Sequence, residues 1–210
     1  MAEMVWYVCY GSNLLEERFL CYVRGGVIPG NTLSERGAKD TSLPVRSEKC
    51  TIDHELFFST PSKKWFGSGV AYVNPKRIKQ GRKGGASKLL TCGLTLGRRY
   101  LITLEQFLDV VRQENSLPAD CDIPIDFTKL KSKGSQIVLP GTYYGRLLYL
   151  GDVDGYPSYS FTCIPAMNEM EHAPLFGPYY DVIASGLKET FQLNDKEIAE
   201  YLERHQRPLA

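Results

Sequence analysis

Hydrophobic positions in this chain come in short bursts, each cut off by Gly, Pro, Ser or Asn, and few of them extend to helical length. Such runs predict strands at Val5 to Tyr10, Leu56 to Thr60, Gly69 to Val73, Leu89 to Leu96, Thr142 to Leu150 and Ser160 to Ile164. Apolar residues at helical spacing predict shorter helices at Leu14 to Tyr22, Leu104 to Arg112, Tyr179 to Phe191 and Asp195 to His205. Two of these helices open on capping-box spacing, Thr103 with Gln106 and Asn194 with Glu197. Strands and helices do not alternate regularly, so the pattern predicts an α+β fold rather than repeated βαβ units. With 210 residues and no obvious linker, one domain spanning 1–210 is expected.

The first strand stops abruptly at Gly11-Ser12-Asn13, and an amphipathic stretch beginning at Leu14 follows at once. A helix opening presents unpaired backbone N–H groups at the positive end of its dipole, so a small-residue turn placed there suits a carboxylate or a developing oxyanion. A simpler local role is also open. Asn13 is a good N-cap, and Glu16, three residues on, has the spacing of a capping box.

A second point of chemistry is Glu114. Leu104, Phe107, Leu108 and Val111 make one apolar face, and Glu114 continues it, while Glu105, Asp109 and Arg112 point elsewhere. A carboxyl facing a core near the negative end of a helix dipole has its pKa raised, which lets it exchange protons near neutral pH. The alternative is that the helix frays at Asn115-Ser116-Leu117-Pro118 and releases Glu114 into water.

Composition narrows the classes. Hydrophobic residues make up 43% and charged residues 23%, ordinary values for a globular chain, and the formal net charge of +1 points to no polyanionic partner. The basic stretch Lys76 to Lys88 lacks interleaved aromatic residues for base stacking, so it reads as a solvated loop, and no nucleic-acid partner is expected. No run approaches the ~20 apolar residues of a membrane span. The apolar stretch near the N-terminus lacks the features of a signal peptide, and a cytoplasmic location is expected. The six cysteines form no Cys-x-x-Cys pair and the three histidines are scattered, so no metal site is signalled and reduced thiols are expected. Pro118 to Pro140 reads as a loop-like insertion forming a lid or an edge.

Tyr7-Val8-Cys9-Tyr10-Gly11-Ser12-Asn13-Leu14-Leu15-Glu16-Glu17-Arg18 resembles the N-terminal signature of the gamma-glutamylcyclotransferase-like family, whose hallmark is a Tyr-Gly-Ser-Asn loop after the first strand. Gly67-Ser68-Gly69-Val70-Ala71 resembles its glycine-containing strand, Phe107 to Glu114 the helix leading to its catalytic glutamate, and Pro178 to Leu202 its C-terminal helical region. The chain departs from the family at Asn115, where Gly is common, and at Thr162-Cys163-Ile164-Pro165-Ala166, where relatives often carry a tyrosine.

The resemblance implies a small, closed or nearly closed β-barrel flanked by short helices. It implies cofactor-free cyclisation of a small γ-glutamyl compound to 5-oxoproline, with Glu114 as general acid and base and Tyr10, Gly11, Ser12 and Asn13 as the substrate loop. The leaving group stays open between amino acids, amines, γ-glutamyl-ε-lysine and a larger carrier. Two other classes compete: a non-catalytic binding or regulatory protein on the same fold, and a thiol hydrolase pairing a cysteine with His54 or His172.

Overall fold

The computed structural model describes residues 2–78 and 94–206. Its centre is strand β1 (Met4–Cys9), an apolar segment buried from Val5 onward. On one side it pairs antiparallel with β7 (Thr95–Thr103), which pairs antiparallel in turn with β4 (Arg46–Ile52). On the other side it pairs parallel with β10 (Tyr156–Thr162), followed by antiparallel β9 (Arg146–Val153) and β8 (Ser135–Ile137). The result is a mixed six-stranded sheet in the order β4-β7-β1-β10-β9-β8. Short strands β2 (Gly26–Val27) and β3 (Ser34–Glu35) form a separate pair.

The α+β expectation holds, but the closed barrel does not. The sheet ends on two different strands, and β5 (His54–Pro61) with β6 (Gly69–Arg77) forms its own antiparallel ribbon. Side chains join that ribbon to the sheet where a ladder would otherwise run. Thr162 Oγ1 accepts from the Val73 amide at 3.1 Å and donates to the Val73 carbonyl at 2.6 Å, while Thr95 Oγ1 donates to the His54 carbonyl at 2.5 Å.

Among the described residues five α-helices complete the fold: α1 (Glu16–Arg24), α2 (Leu104–Glu114), α3 (Phe127–Lys133), α4 (Gly177–Phe191) and α5 (Asp195–Gln206). Both expected capping boxes are made. Gln106 N donates to Thr103 Oγ1 and Thr103 N to Gln106 Oε1, and Asn194 and Glu197 exchange the same pair of bonds. The 118–140 segment is more structured than a loop, since it carries α3 and the sheet-edge strand β8. Most of the basic stretch, and residues 89–93 of the strand expected at Leu89 to Leu96, lie outside the described residues.

Helix α4 packs directly on the turn that follows β1, and Gly186 makes this possible. A Cβ there would lie 2.4 Å from Leu15 N and 2.6 Å from Leu14 Cβ. Two further groups tie down the same turn: Arg98 Nη1 and Thr190 Oγ1 each donate to the Leu14 carbonyl at 3.2 Å. Replacing a mid-helix glycine by alanine ordinarily stabilises by about 1 kcal/mol, so the sign of the change reports the contact. Gly186→Ala is expected to destabilise by about 1–3 kcal/mol, as overpacking does. The check is a lower urea midpoint at unchanged slope; an equal or higher midpoint would show that α4 does not press on the turn.

Candidate active site

The residues after β1 form a single turn of 3-10 helix at Ser12–Leu14, and α1 begins only at Glu16. Asn13 is therefore not the N-cap of α1; Leu15 holds that place, without a side-chain capping bond. The Asn13 side chain turns inward, where Nδ2 donates to Tyr7 Oη and to Glu114 Oε1, both at 2.9 Å. Its carbonyl accepts from Tyr100 Oη at 3.0 Å. The amides of Leu14 and Leu15 close the turn on Gly11 O and Ser12 O, so any donor the loop offers to a ligand comes from earlier in it.

Glu114 is the last residue of α2, which runs one half-turn beyond its expected end at Arg112. The C-cap Asn115 keeps the helix from fraying, because its Nδ2 donates to the Val111 carbonyl and its Oδ1 accepts from the Tyr144 amide. Asn115 has φ −101°, so no left-handed residue is needed where relatives carry Gly. On the same helix Glu105 is exposed. Asp109 is instead buried, accepting from the Lys39 amide and from Arg112.

Glu114, Tyr10, Gly11, Ser12 and Asn13 line one pocket. Residues not picked out from the sequence join them: Tyr7, Arg18, Tyr22, Lys64, Tyr144 and Tyr179. Arg18 and Tyr22 come from α1, one turn apart, and Lys64 from a short 3-10 turn at Lys63–Trp65. Tyr144 Oη donates to the Ala71 carbonyl at 3.2 Å, and Tyr179 Oη accepts from the Ala71 amide at 3.1 Å. With Phe161 of β10 these two tyrosines make up an aromatic wall of the pocket. The Tyr10 hydroxyl is spent on the Phe161 carbonyl at 2.7 Å, so it ties the loop to β10.

Withdrawal from water raises the pKa of Glu114, and Glu35 adds to the rise, while Arg18, Lys64 and the Tyr22 hydroxyl oppose it. Arg18 donates to Tyr22 Oη at 2.5 Å and to Glu35 Oε1 at 2.9 Å; Lys64 Nζ reaches that same Glu35 oxygen at 3.0 Å. Burial also pushes the phenols of Tyr7, Tyr22 and Tyr144 well above their ordinary range, keeping them neutral hydrogen-bonding groups. The chemistry assembled here is a partly desolvated carboxyl able to trade a proton, with cations behind it.

Among the described residues no group of three or more His, Cys, Asp or Glu is placed to hold a metal ion, and no helix is long and apolar enough to cross a membrane. Burial raises the thiols of Cys9 and Cys163, the latter to about 11, away from the reactive thiolate. His54 Nδ1 is engaged with the Asn74 carbonyl at 2.6 Å.

No family model matches the chain. A curated relative, histone deacetylase 5 of Arabidopsis thaliana, is 34% identical over 212 residues, which cover 95% of this chain and 30% of that protein. The chain thus spans under a third of its relative's length. Similar solved structures include a gamma-glutamyl cyclotransferase and an uncharacterized protein from Homo sapiens, each 16% identical with a TM-score of 0.49, covering 99% of this chain and 90% of theirs. A third, a gamma-glutamyl cyclotransferase specific to glutathione from yeast, is 11% identical with a TM-score of 0.35 and covers 98% of both chains.

The raised pKa of Glu114 has a consequence for stability. Between the ordinary glutamate pKa and the raised one, the folded protein keeps a proton that the unfolded chain has released, so stability falls as pH rises through that window. Glu114→Gln has no such proton to lose. The stability of the wild type relative to this variant, from urea midpoints at about pH 4 to about pH 7, is expected to fall with pH. A difference that is flat, or that moves in favour of the wild type, would contradict the desolvation of Glu114.

Proposed function

We propose that the chain is a cyclotransferase that converts a γ-glutamyl amine or γ-glutamyl amino acid to 5-oxoproline and a free amine. The observation that carries this reading is the hydrogen bond between Asn13 and Glu114, which puts a carboxyl of raised pKa beside the loop that resembles the family's substrate loop. In this reading Glu114 takes a proton from the substrate's α-ammonium group, and the freed amine attacks its own γ-carbonyl carbon. The new C–N bond closes a five-membered ring and places negative charge on the carbonyl oxygen. Backbone N–H groups of Gly11 to Asn13, with the Ser12 hydroxyl, stabilise that charge. The C–N bond to the leaving amine then breaks as Glu114 returns its proton to the departing nitrogen, and the ring nitrogen gives up its remaining extra proton to the released amine, which departs as an ammonium.

Attacking and attacked atoms belong to one molecule, so most of the barrier is lowered by holding the substrate curled. The pocket walls suit that task, since Tyr7, Tyr22, Tyr144 and Tyr179 are rigid, neutral and already bonded within the protein or packed around it. No step calls for a metal or cofactor. The deacetylase named in the plant relative describes a much longer protein.

A panel of γ-glutamyl compounds read by mass spectrometry for 5-oxoproline tests the reading. Glu114→Gln keeps the size and an acceptor for Asn13 but removes proton exchange, and is expected to lower turnover by about 100-fold to about 10,000-fold. Glu105→Gln, on the exposed face of α2, serves as the control and is expected to be silent. Turnover that survives the Glu114 change would overturn the assignment, as would 5-oxoproline release from no member of the panel.

A further inference from the structure

The two cations of the pocket share one carboxylate oxygen. Glu35 Oε1 accepts from Arg18 Nη2 at 2.9 Å and from Lys64 Nζ at 3.0 Å, and the Glu35 side chain is 8% exposed. Its position comes from a strap outside the six-stranded sheet, in which Glu35 of β3 pairs with Gly26 of β2. At the foot of the strap Gly37 lies at φ 86°, and a Cβ there would fall 2.8 Å from Gly25 N, so the two legs touch. At its tip Asn31 Oδ1 accepts from the amides of Thr32 and Leu33, while Asn31 Nδ2 donates to the Lys64 carbonyl at 2.5 Å. The strap therefore grips Lys64 twice, by its backbone and by its ammonium, with the carboxylate that also grips Arg18.

Arg18 and Lys64 line the pocket together with Glu114. The Arg18 nitrogen that bonds Glu35 also donates to Tyr22 Oη, and the Tyr22 hydroxyl favours the Glu114 carboxylate. Other titratable neighbours among the described residues are the phenols of Tyr7 on β1, Tyr144 ahead of β9 and Tyr179 on α4, which burial keeps neutral. On α2 itself, Asp109 and Arg112 pair with each other. The charge that Glu114 meets is thus two cations against one anion. Without that anion two uncompensated positive charges would face Glu114 and fix it as a carboxylate.

We propose that Glu35 is a positioning residue that acts through Arg18 and Lys64: by engaging both cations it leaves Glu114 able to take up a proton and to give it back. This deepens the cyclotransferase reading and, for its effect on turnover, rests on it. Glu35 lies outside the pocket lining and has no contact with substrate to make. Its whole effect passes through the charge balance at Glu114, and that makes the effect reversible by a second change elsewhere in the cluster.

The test follows the Glu114 carboxyl by carbon NMR through a pH titration of the full chain, together with the pH profile of turnover. Glu35→Gln keeps the shape and removes the charge, and is expected to lower the Glu114 midpoint by about one pH unit, the effect of a unit charge several ångströms away inside a protein. Lys64→Gln is expected to raise the midpoint. Combining the two changes restores the wild-type charge sum and is expected to bring the midpoint back toward the wild-type value. The acid limb of the turnover profile moves with the midpoint in each case, and turnover of Glu35→Gln at neutral pH falls by about threefold to about tenfold, as for a weaker base. Recovery in the double variant separates this role from a merely structural one, in which a second lost contact would add to the first. Glu35→Asp keeps the charge but draws it back from the cations; it serves where the Gln variant does not fold and is expected to lower the midpoint by less. A midpoint unmoved by the Glu35 change, or a double variant farther from wild type than the Glu35 variant, would overturn the proposal.

The two readings fail separately. If the midpoints move as stated but no γ-glutamyl compound turns over, the role of Glu35 stands and the cyclisation falls. Turnover of a γ-glutamyl compound with a midpoint that ignores Glu35 would remove that role and leave the cyclisation standing.

Discussion

The site depends on one side-chain amide. Asn13 Nδ2 spends its two hydrogens on Tyr7 Oη and Glu114 Oε1, joining the turn after β1, the centre of β1 and the end of α2 across 101 residues of sequence. A carboxyl withdrawn from water is costly unless hydrogen-bonded, and this bond lets α2 end with an acid facing inward. The amide can serve only while the turn stays in place. Hence the concentration of interactions there: Gly186 lets α4 press on the backbone, Tyr100 holds the Asn13 carbonyl, and Arg98 and Thr190 hold that of Leu14. Arg98 also reaches Glu16 and Glu189, tying the starts of β7, α1 and the end of α4 together.

Opposed effects set the character of Glu114. Burial favours the neutral acid; Arg18, Lys64 and the Tyr22 hydroxyl favour the carboxylate. In the proposed cyclisation Glu114 first accepts and then returns a proton, a task toward which a carboxyl raised above its ordinary pKa is shifted. The cations are restrained in turn by Glu35, so their pull on Glu114 is moderated rather than absolute.

What was legible in the sequence followed from local physics. The capping boxes at Thr103 and Asn194 start their helices where the spacing says, and the α2 periodicity leads to Glu114, which lines the pocket half-buried, but it misses that Asp109 is buried. What stayed hidden depended on distant partners. Asn13 satisfies the local rules for an N-cap, and only a carboxyl 101 residues away shows why its side chain turns inward. Strand β4 is rich in polar residues and alternates between exposed and partly buried positions, so no apolar run announces it. Strand β7 contains Arg98 and Arg99, whose ion pairs with Glu16, Glu189 and Glu48 make charged residues tolerable in a mostly buried strand. Arg18 stood within the recognised motif, but its burial and its bonds to Tyr22 and Glu35 are visible only in three dimensions. The sheet is not closed into a barrel, and the β5–β6 ribbon is joined to it through the side chains of Thr95 and Thr162.

The central claim is that Glu114 is a desolvated carboxyl poised to exchange protons. Its own titration tests this most directly, followed by carbon NMR of the side-chain carboxyl, with Glu114→Gln used to assign the signal. The account predicts a midpoint above the ordinary glutamate value. A midpoint at or below that value would mean that Arg18 and Lys64 outweigh burial, leaving a fixed anion that cannot return a proton to a leaving group.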